Sequence, residues 1–297
     1  MTPKTIAAAG AMGAGTRDVE GSRDMNEPGE YAFPNAAQGQ RERLQALEAV
    51  LDPGTVKQLG DRGVGLEWAC LEVGAGAGSI ARWLAEQVGP HGRVLATDLN
   101  PAAFGSVGDA YPWLTVAQHD LTIDPLPAVN FDLVHSRLVL SWLPDPVHAL
   151  TRLVRALRPG GWLVLEELDF VSAVPDPAMD ADAAAVFARV LHAHTVVLTE
   201  HNGFDPTFGR RLLGLLEAAR LADVNAAGRV SMWLGGEPGG ELWRLTFQQL
   251  RQAMLDTGLV DHGDVDTAMS LCRHGLSFMS PVTITGWGQL PAAPADR

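Results

Sequence analysis

The sequence predicts an α/β fold, an open, Rossmann-like, mainly parallel sheet with helices on both faces. Three observations carry that prediction. A short apolar run, Trp68-Ala69-Cys70-Leu71, leads through Glu72-Val73-Gly74-Ala75-Gly76-Ala77-Gly78-Ser79 into Ile80, Trp83, Leu84 and Val88 at helical spacing. Strand, glycine loop and helix in that order open a nucleotide-binding sheet. A second run, Arg93-Val94-Leu95-Ala96-Thr97, ends in Asp98, about 20 residues beyond the glycines, where a carboxylate can accept from two ribose hydroxyls. Further strand-like runs then alternate with helical ones, the pattern of a parallel sheet.

The glycines at 74, 76 and 78 free the loop from Cβ atoms, so that a ligand can lie against its backbone N–H groups and the positive end of the next helix. A ligand-free tight turn is the alternative for a bare glycine run. A dinucleotide dehydrogenase is another, but Ser79 stands where the third glycine of its fingerprint belongs.

Glu72 to Gly78, with an acidic residue two before the first glycine, resembles the first motif of class I S-adenosylmethionine-dependent methyltransferases. Later segments extend the resemblance over roughly residues 40–170. Trp113-Leu114-Thr115-Val116-Ala117 reads as the third strand and runs into Gln118-His119-Asp120-Leu121. Phe131-Asp132-Leu133-Val134-His135-Ser136 is similar to the family's fourth strand. Asp145-Pro146 begins a helix carrying Leu150 and Leu153, and the Arg158-Pro159-Gly160-Gly161 turn delivers a fifth strand over Trp162 to Glu167.

The resemblance implies a seven-stranded methyltransferase sheet and S-adenosyl-L-methionine as cofactor. It implies cofactor contacts at Glu72, Gly74, Ala75, Gly76, Gly78 and Ser79, at Asp98 and Leu99 beside the ribose, and at Asp120 and Leu121 beside the adenine. His135, Ser136 and Arg137 would lie at the sheet's carboxyl edge, where ligands bind in open α/β folds. An N-terminal arm often folds over the cofactor in this family, which would place Tyr31 or Phe33 there; an arm packed on the surface is the other reading.

Before the first strand, Leu44, Leu47, Val50 and Leu51 predict a helix that Asp52-Pro53-Gly54 ends, with a short second helix over residues 55–59. Arg41 and Arg43 are within reach of the cofactor carboxylate on one reading and form the helix's solvated face on the preferred one. Residues 1–29, rich in alanine, glycine and charge without periodicity, read as a disordered tail before a single domain over 30–290. In the second half, Arg229 to Leu234 reads as the sixth strand and Ser280 to Trp287 as the antiparallel seventh. Residues 172–205 and 236–276 exceed what the shared fold needs and predict a helical cap. Its stripes are Phe187, Leu191, His194 and Leu198 on one helix and Trp243, Phe247, Leu250 and Met254 on another.

The chain has 297 residues, 46% of them apolar, enough for a substantial core. Its 22 basic and 35 acidic residues give a net charge of −13 and no basic run, which argues against nucleic acid as substrate. Two cysteines, Cys70 and Cys272, make neither a disulfide framework nor a four-ligand zinc site. No metal site stands out, because His192 and His194 project from different helix faces and Asp261-His262-Gly263-Asp264 has no partner cluster. No apolar run reaches membrane-spanning length on this reading, so a cytoplasmic protein without membrane contact is expected, with a homodimer as one assembly state.

The implied reaction moves a methyl group from a sulfonium to a nucleophile. The protein then mainly supplies positioning and water exclusion. A hydroxyl acceptor would need a general base, and among nine histidines His135 and His194 are the candidates. Of Glu166 and Glu167, one should face the ligand side. The expected function is methyl transfer, with O-methylation first, to a small, fairly apolar molecule of secondary metabolism. Alternatives are cyclisation or rearrangement without methyl transfer on the same fold, and a non-catalytic binding protein.

Overall fold

The computed structural model describes residues 39–105, 110–126, 131–201 and 203–292. The expected tail over 1–29 and the arm carrying Tyr31 and Phe33 lie outside the described residues. The strands are β1 (Ala69–Val73), β2 (Arg93–Asp98), β3 (Leu114–Gln118), β4 (Phe131–Arg137), β5 (Leu157–Asp169), β6 (Val174–Pro175), β7 (Ala222–Arg229), β8 (Met232–Leu234), β9 (Ser277–Met279) and β10 (Val282–Gln289). The helices are α1 (Gln40–Asp61), α2 (Ser79–Val88), α3 (Pro146–Ala156), α4 (Ala181–Val196), α5 (Leu212–Ala218), α6 (Pro238–Gln249), α7 (Arg251–Asp256) and α8 (His262–Arg273).

Seven strands form one sheet in the order β3-β2-β1-β4-β5-β10-β7. The first five run parallel, and β10 is antiparallel to both β5 and β7. Every residue of β1 is buried, as a central strand covered on both faces requires. Strand order reverses between β1 and β4, so the crevice for a ligand opens where β1 ends at Val73 and β4 at Arg137. Leu59 of α1 and Ile80, Leu84 and Val88 of α2 cover one face over Cys70, Val94 and Leu133. Leu150 and Leu153 of α3 and Leu212 and Leu216 of α5 cover the other, over Leu71, Val134 and Leu163. The Asp145-Pro146 start of α3 forms as predicted, with the Asp145 carboxylate accepting from the His148 N–H.

A third core cluster joins Phe187 and Leu191 of α4, Trp243 and Phe247 of α6, Val265 and Ala268 of α8, and Phe278 of β9. Residues of 172–205 and of 236–276 therefore share one apolar interior. A small sheet, β6-β9-β8, closes it.

Four expectations need correction. Pro53 does not end the first helix; α1 runs through it to Asp61. An interior proline costs a helix roughly 3 kcal/mol, but here tertiary bonds pin both sides of it, Asp52 to Arg137 and Thr55 to Glu166. Gly54 is not a stop signal either, because it makes room for the Arg229 guanidinium. The edge strand of the large sheet is β7, Ala222–Arg229, half-exposed and too weakly apolar to show a period; Met232–Leu234 pairs with β9 in the small sheet instead. The Trp243 stripe spans two helices, breaking at Leu250, although all four of its residues are buried. Finally, Ala181–Glu200 is long and apolar enough to cross a membrane by length and composition. In this fold it buries Phe187, Val190 and Leu191 in the cap, and Arg189 on it pairs with Asp264 at 2.6 Å.

The packing at Gly54 reverses an ordinary substitution effect. On an isolated helix, glycine to alanine adds up to about 1 kcal/mol. Here the added Cβ would fall 2.6 Å from Arg229 Cζ and 2.7 Å from its Nη2, displacing the guanidinium from the buried Glu166. Gly54→Ala should therefore lower stability by about 1–3 kcal/mol. Urea unfolding of the two proteins gives the sign, and a stabilised variant would show that Arg229 moves aside without cost.

Candidate functional site

At the carboxyl ends of β1 and β4 the chain encloses a cavity of about 420 Å³, lined from the glycine loop at one end to the cap at the other. The glycine loop forms its floor. Gly74 has a φ of 69°, and a Cβ there would run into the Val139 side chain. Gly78, with a φ of 92°, caps α2 and packs where a Cβ would lie 2.6 Å from the Phe104 ring. Gly74, Ala75 and Gly76 line the cavity, whereas Gly78 and Ser79 do not.

The loop's N–H groups are mostly engaged within the protein, which corrects the expected backbone cradle. Gly74 and Ala75 donate to the Thr97 carbonyl at 2.8 and 3.0 Å, Gly78 to the Ala75 carbonyl at 2.9 Å, and Gly76 to Asp98 Oδ2 at 2.9 Å. At the start of α2, the Ser79 N–H donates to Glu48 Oε1 at 3.2 Å, so a side chain of α1 already meets the positive end of that helix. Burial raises the Glu48 pKa above the usual carboxylate range, against the lowering pull of that bond. The loop thus offers a Cβ-free surface rather than a set of open donors.

Asp98 ends β2 with its carboxylate fixed on both sides. Oδ2 accepts from Gly76 and Oδ1 from the Asn100 N–H, each at 2.9 Å. Burial raises its pKa while these two bonds oppose the rise. Each oxygen keeps a further lone pair, and the residue lines the cavity beside Leu99. After β3, Asp120 Oδ1 accepts from the Thr122 N–H and hydroxyl at 2.8 and 2.6 Å, and Asp120 and Leu121 both line the cavity. His119 lines it too, with both ring nitrogens enclosed and without partners among the described residues. It stands inside the motif that holds Asp120, yet the sequence gives no reason to prefer it.

His135 is not at the cavity surface, and this corrects its expected catalytic and cofactor-binding roles. Its side chain is fully buried beneath the floor, with Nδ1 2.6 Å from Glu72 Oε2 and Nε2 3.8 Å from Glu166 Oε2. Burial alone would push the imidazole pKa down, but the two carboxylates outweigh it and raise it to about 9. Glu72, on the neighbouring strand, points to His135 and does not line the cavity. Ser136 is also buried, donating to the Val73 carbonyl at 3.0 Å. Arg137 does line the cavity, held by Asp52 Oδ1 and Thr55 Oγ1 at 2.9 Å each.

Neither glutamate at the end of β5 faces the ligand space, against the expectation that one should. Glu166 accepts from Thr55, from Arg229 Nη2 at 2.7 Å and from Thr285 at 2.6 Å; its cationic neighbours overcome burial and hold its pKa well below the usual range. Glu167 gathers the Val139 and Leu140 N–H groups and the Ser141 hydroxyl at 3.1, 2.8 and 2.8 Å, fixing the turn after β4. Burial raises its pKa to about 7.

The cap end of the cavity is walled by Trp142, Phe170, Leu198, Phe204, Trp233 and Trp243. His194 reaches it, packed edge-on against Trp243 at 5.0 Å between ring centroids. Burial and then the charge of Arg43 lower its pKa to about 3, so the ring is neutral and a weak base. Beyond the reach toward a ligand that one reading gave Arg41 and Arg43, sequence reasoning missed α1 as a wall; Arg43 is part of it and Arg41 is not. Gln40, Arg43, Leu44, Leu47 and Glu48 all line the cavity, and their spacing is that of one helical face. Arg43 is buried rather than solvated, donating from Nε to Gln40 Oε1 at 3.1 Å. No group of three or more histidine, cysteine, aspartate or glutamate side chains suited to a metal occurs among the described residues.

Residues 71–165 match the family model described as a methyltransferase domain. The methyltransferase str3 of Strobilurus tenacellus is 34% identical over 158 residues, 52% of this chain and 53% of that protein. Methyltransferase str2 of the same organism is 35% identical over 158 residues, 52% and 54% of the two chains. The chain thus spans about half the length of the curated relatives it matches. A candidate methyltransferase from Bacillus halodurans shares the fold with a TM-score of 0.53 at 17% identity, over 80% of this chain and 98% of that one.

The buried imidazolium has a measurable signature. Its pKa of about 9 lies above histidine's ordinary 6.5, so its stabilisation is fully present below about 6.5 and is lost as pH rises through about 9. The melting-temperature gap between the wild type and His135→Gln should therefore narrow between about pH 7 and pH 10. A gap that stays constant over that range would show that His135 is neutral in the fold.

Proposed function

We propose, for a chain that belongs to the class I methyltransferase family, that it transfers a methyl group from S-adenosylmethionine to a small, largely apolar molecule, with oxygen as the accepting atom. One observation carries this reading: a single cavity joins the glycine loop, Asp98 and Asp120 to an aromatic chamber built by the cap. Two ligands lying end to end would fill such a space, with little water between them.

The residues of the first end suit the cofactor. Asp98 presents two carboxylate oxygens, already oriented by backbone N–H groups, to a ribose diol. Gly74 and Gly76 let the ligand approach the backbone, and Leu121 and Thr122 border the space beyond β3. When bound, S-adenosylmethionine supplies an activated methyl group on a sulfonium. The chain's own work is then to hold the acceptor against that group and to exclude water, which aromatic walls do well. The acidic net charge of −13 favours a small molecule over a nucleic acid as acceptor.

Calorimetry with S-adenosylhomocysteine tests the cofactor half. Asp98→Ala should weaken binding by about 100-fold, the equivalent of roughly 3 kcal/mol for two charge-assisted hydrogen bonds, with the variant still folded. Binding unchanged within a factor of two would place the ribose elsewhere. With an accepted substrate, product mass should rise by one CH₂ unit; an unchanged mass would instead indicate rearrangement or cyclisation.

A further inference from the structure

The cap end of the cavity has a chemical bias beyond its apolar walls. Nδ1 of His194, Nε1 of Trp243 and Nε2 of Gln40 are enclosed and have no hydrogen-bond partner among the described residues. All three residues line the cavity and are only 1%, 3% and 3% exposed. The indole N–H donates only, the Gln40 amide oxygen is already engaged by Arg43 so that its NH₂ faces the space as a donor, and a neutral imidazole carries one donor and one acceptor nitrogen. The buried guanidinium of Arg43 stands in the same wall and is felt at His194. The carboxylates that line the cavity, Glu48, Asp98 and Asp120, belong to its other end, tied to the glycine loop, to α2 and to the segment after β3. The chamber is thus apolar in its walls and rich in donors.

It also holds no strong base among the described residues. His135 is sealed under the floor, and His194 is too weakly basic to take a proton from an alcohol at neutral pH. A nucleophile suited to this chamber arrives already ionised.

We propose that the acceptor is a carboxylic acid with an apolar body, bound as its carboxylate against the Trp243 indole N–H, the Gln40 amide and the Arg43 guanidinium, and methylated to its ester. This rests on the methyl-transfer reading above. One carboxylate oxygen forms the new O–CH₃ bond while the bond from that methyl carbon to the sulfonium sulfur breaks. The electron pair returns to sulfur, the negative and positive charges cancel, and no proton moves. The other oxygen stays on the donors throughout.

Calorimetry on the full chain tests this. S-adenosylhomocysteine is titrated first, and the saturated protein then receives 4-phenylbutanoate or 4-phenylbutan-1-ol, probes with one apolar body. The acid should bind at least roughly tenfold more tightly than the alcohol, as a charged acceptor does on enclosed donors. Trp243→Phe, which keeps the ring and removes the N–H, should weaken the acid by about tenfold and leave S-adenosylhomocysteine and the alcohol within a factor of two. Gln40→Leu provides the same comparison should the tryptophan variant fail to fold. Equal binding of acid and alcohol, no acid binding at millimolar concentration, or indifference of the acid to these variants would overturn the assignment alone. Failure of S-adenosylhomocysteine itself to bind would overturn the methyl-transfer reading and the assignment with it.

Discussion

The cation of His135 between Glu72 and Glu166 is the interaction on which the site's geometry depends. Those three residues come from β4, β1 and β5, the strands whose ends form the cavity floor. From Glu166 the network continues to Arg229 and Thr285 on β7 and β10 and to Thr55 on α1. Removing one member would leave an uncompensated buried charge, at a cost of about 3–5 kcal/mol. The network therefore sets where α1 lies, and α1 supplies a wall of the cavity.

That arrangement separates two jobs that the motif around His135 leaves entangled. Most of the charged machinery lies under the sheet edge and faces inward, while the cavity is lined by glycine backbone, single carboxylates, aromatic rings and the guanidinium groups of Arg43 and Arg137. Methyl transfer from a sulfonium, the reaction proposed above, needs little proton chemistry, so a site built for it can use its ionic groups for rigidity. Glu167 serves the same end from the opposite direction, fixing the turn that carries Leu138 and Trp142 into the cavity wall.

Much of this was legible in the chain because it is local. The glycine loop, Asp98 after the second strand, the Asp145-Pro146 helix start and the apolar runs of the parallel strands each announce themselves within a few residues. What the sequence hid depends on long-range partners. Pro53 reads as a helix end until Arg137 and Glu166 are seen to pin both sides of it. His135 reads as a cavity residue until Glu72 and Glu166 close around it, since the period of a strand fixes its face but not its depth. Arg43 reads as solvated surface because only the folded cap buries it. The edge strand β7 escaped because half-exposed residues such as Asp223 and Asn225 impose no apolar alternation. Nor does the glycine run disclose that Thr97, Asp98 and Ala75 consume its N–H groups.

The central claim is that one cavity receives the cofactor at the glycine loop and the acceptor under the cap. A crystal structure of the chain with S-adenosylhomocysteine tests it most directly. The account predicts ribose hydroxyls on the Asp98 carboxylate, the base between Leu99 and Leu121, and the sulfur facing the chamber bounded by His194 and Trp243. Density for the ligand outside this cavity, or inside it with Asp98 unengaged and the sulfur turned away from the cap, would contradict the account.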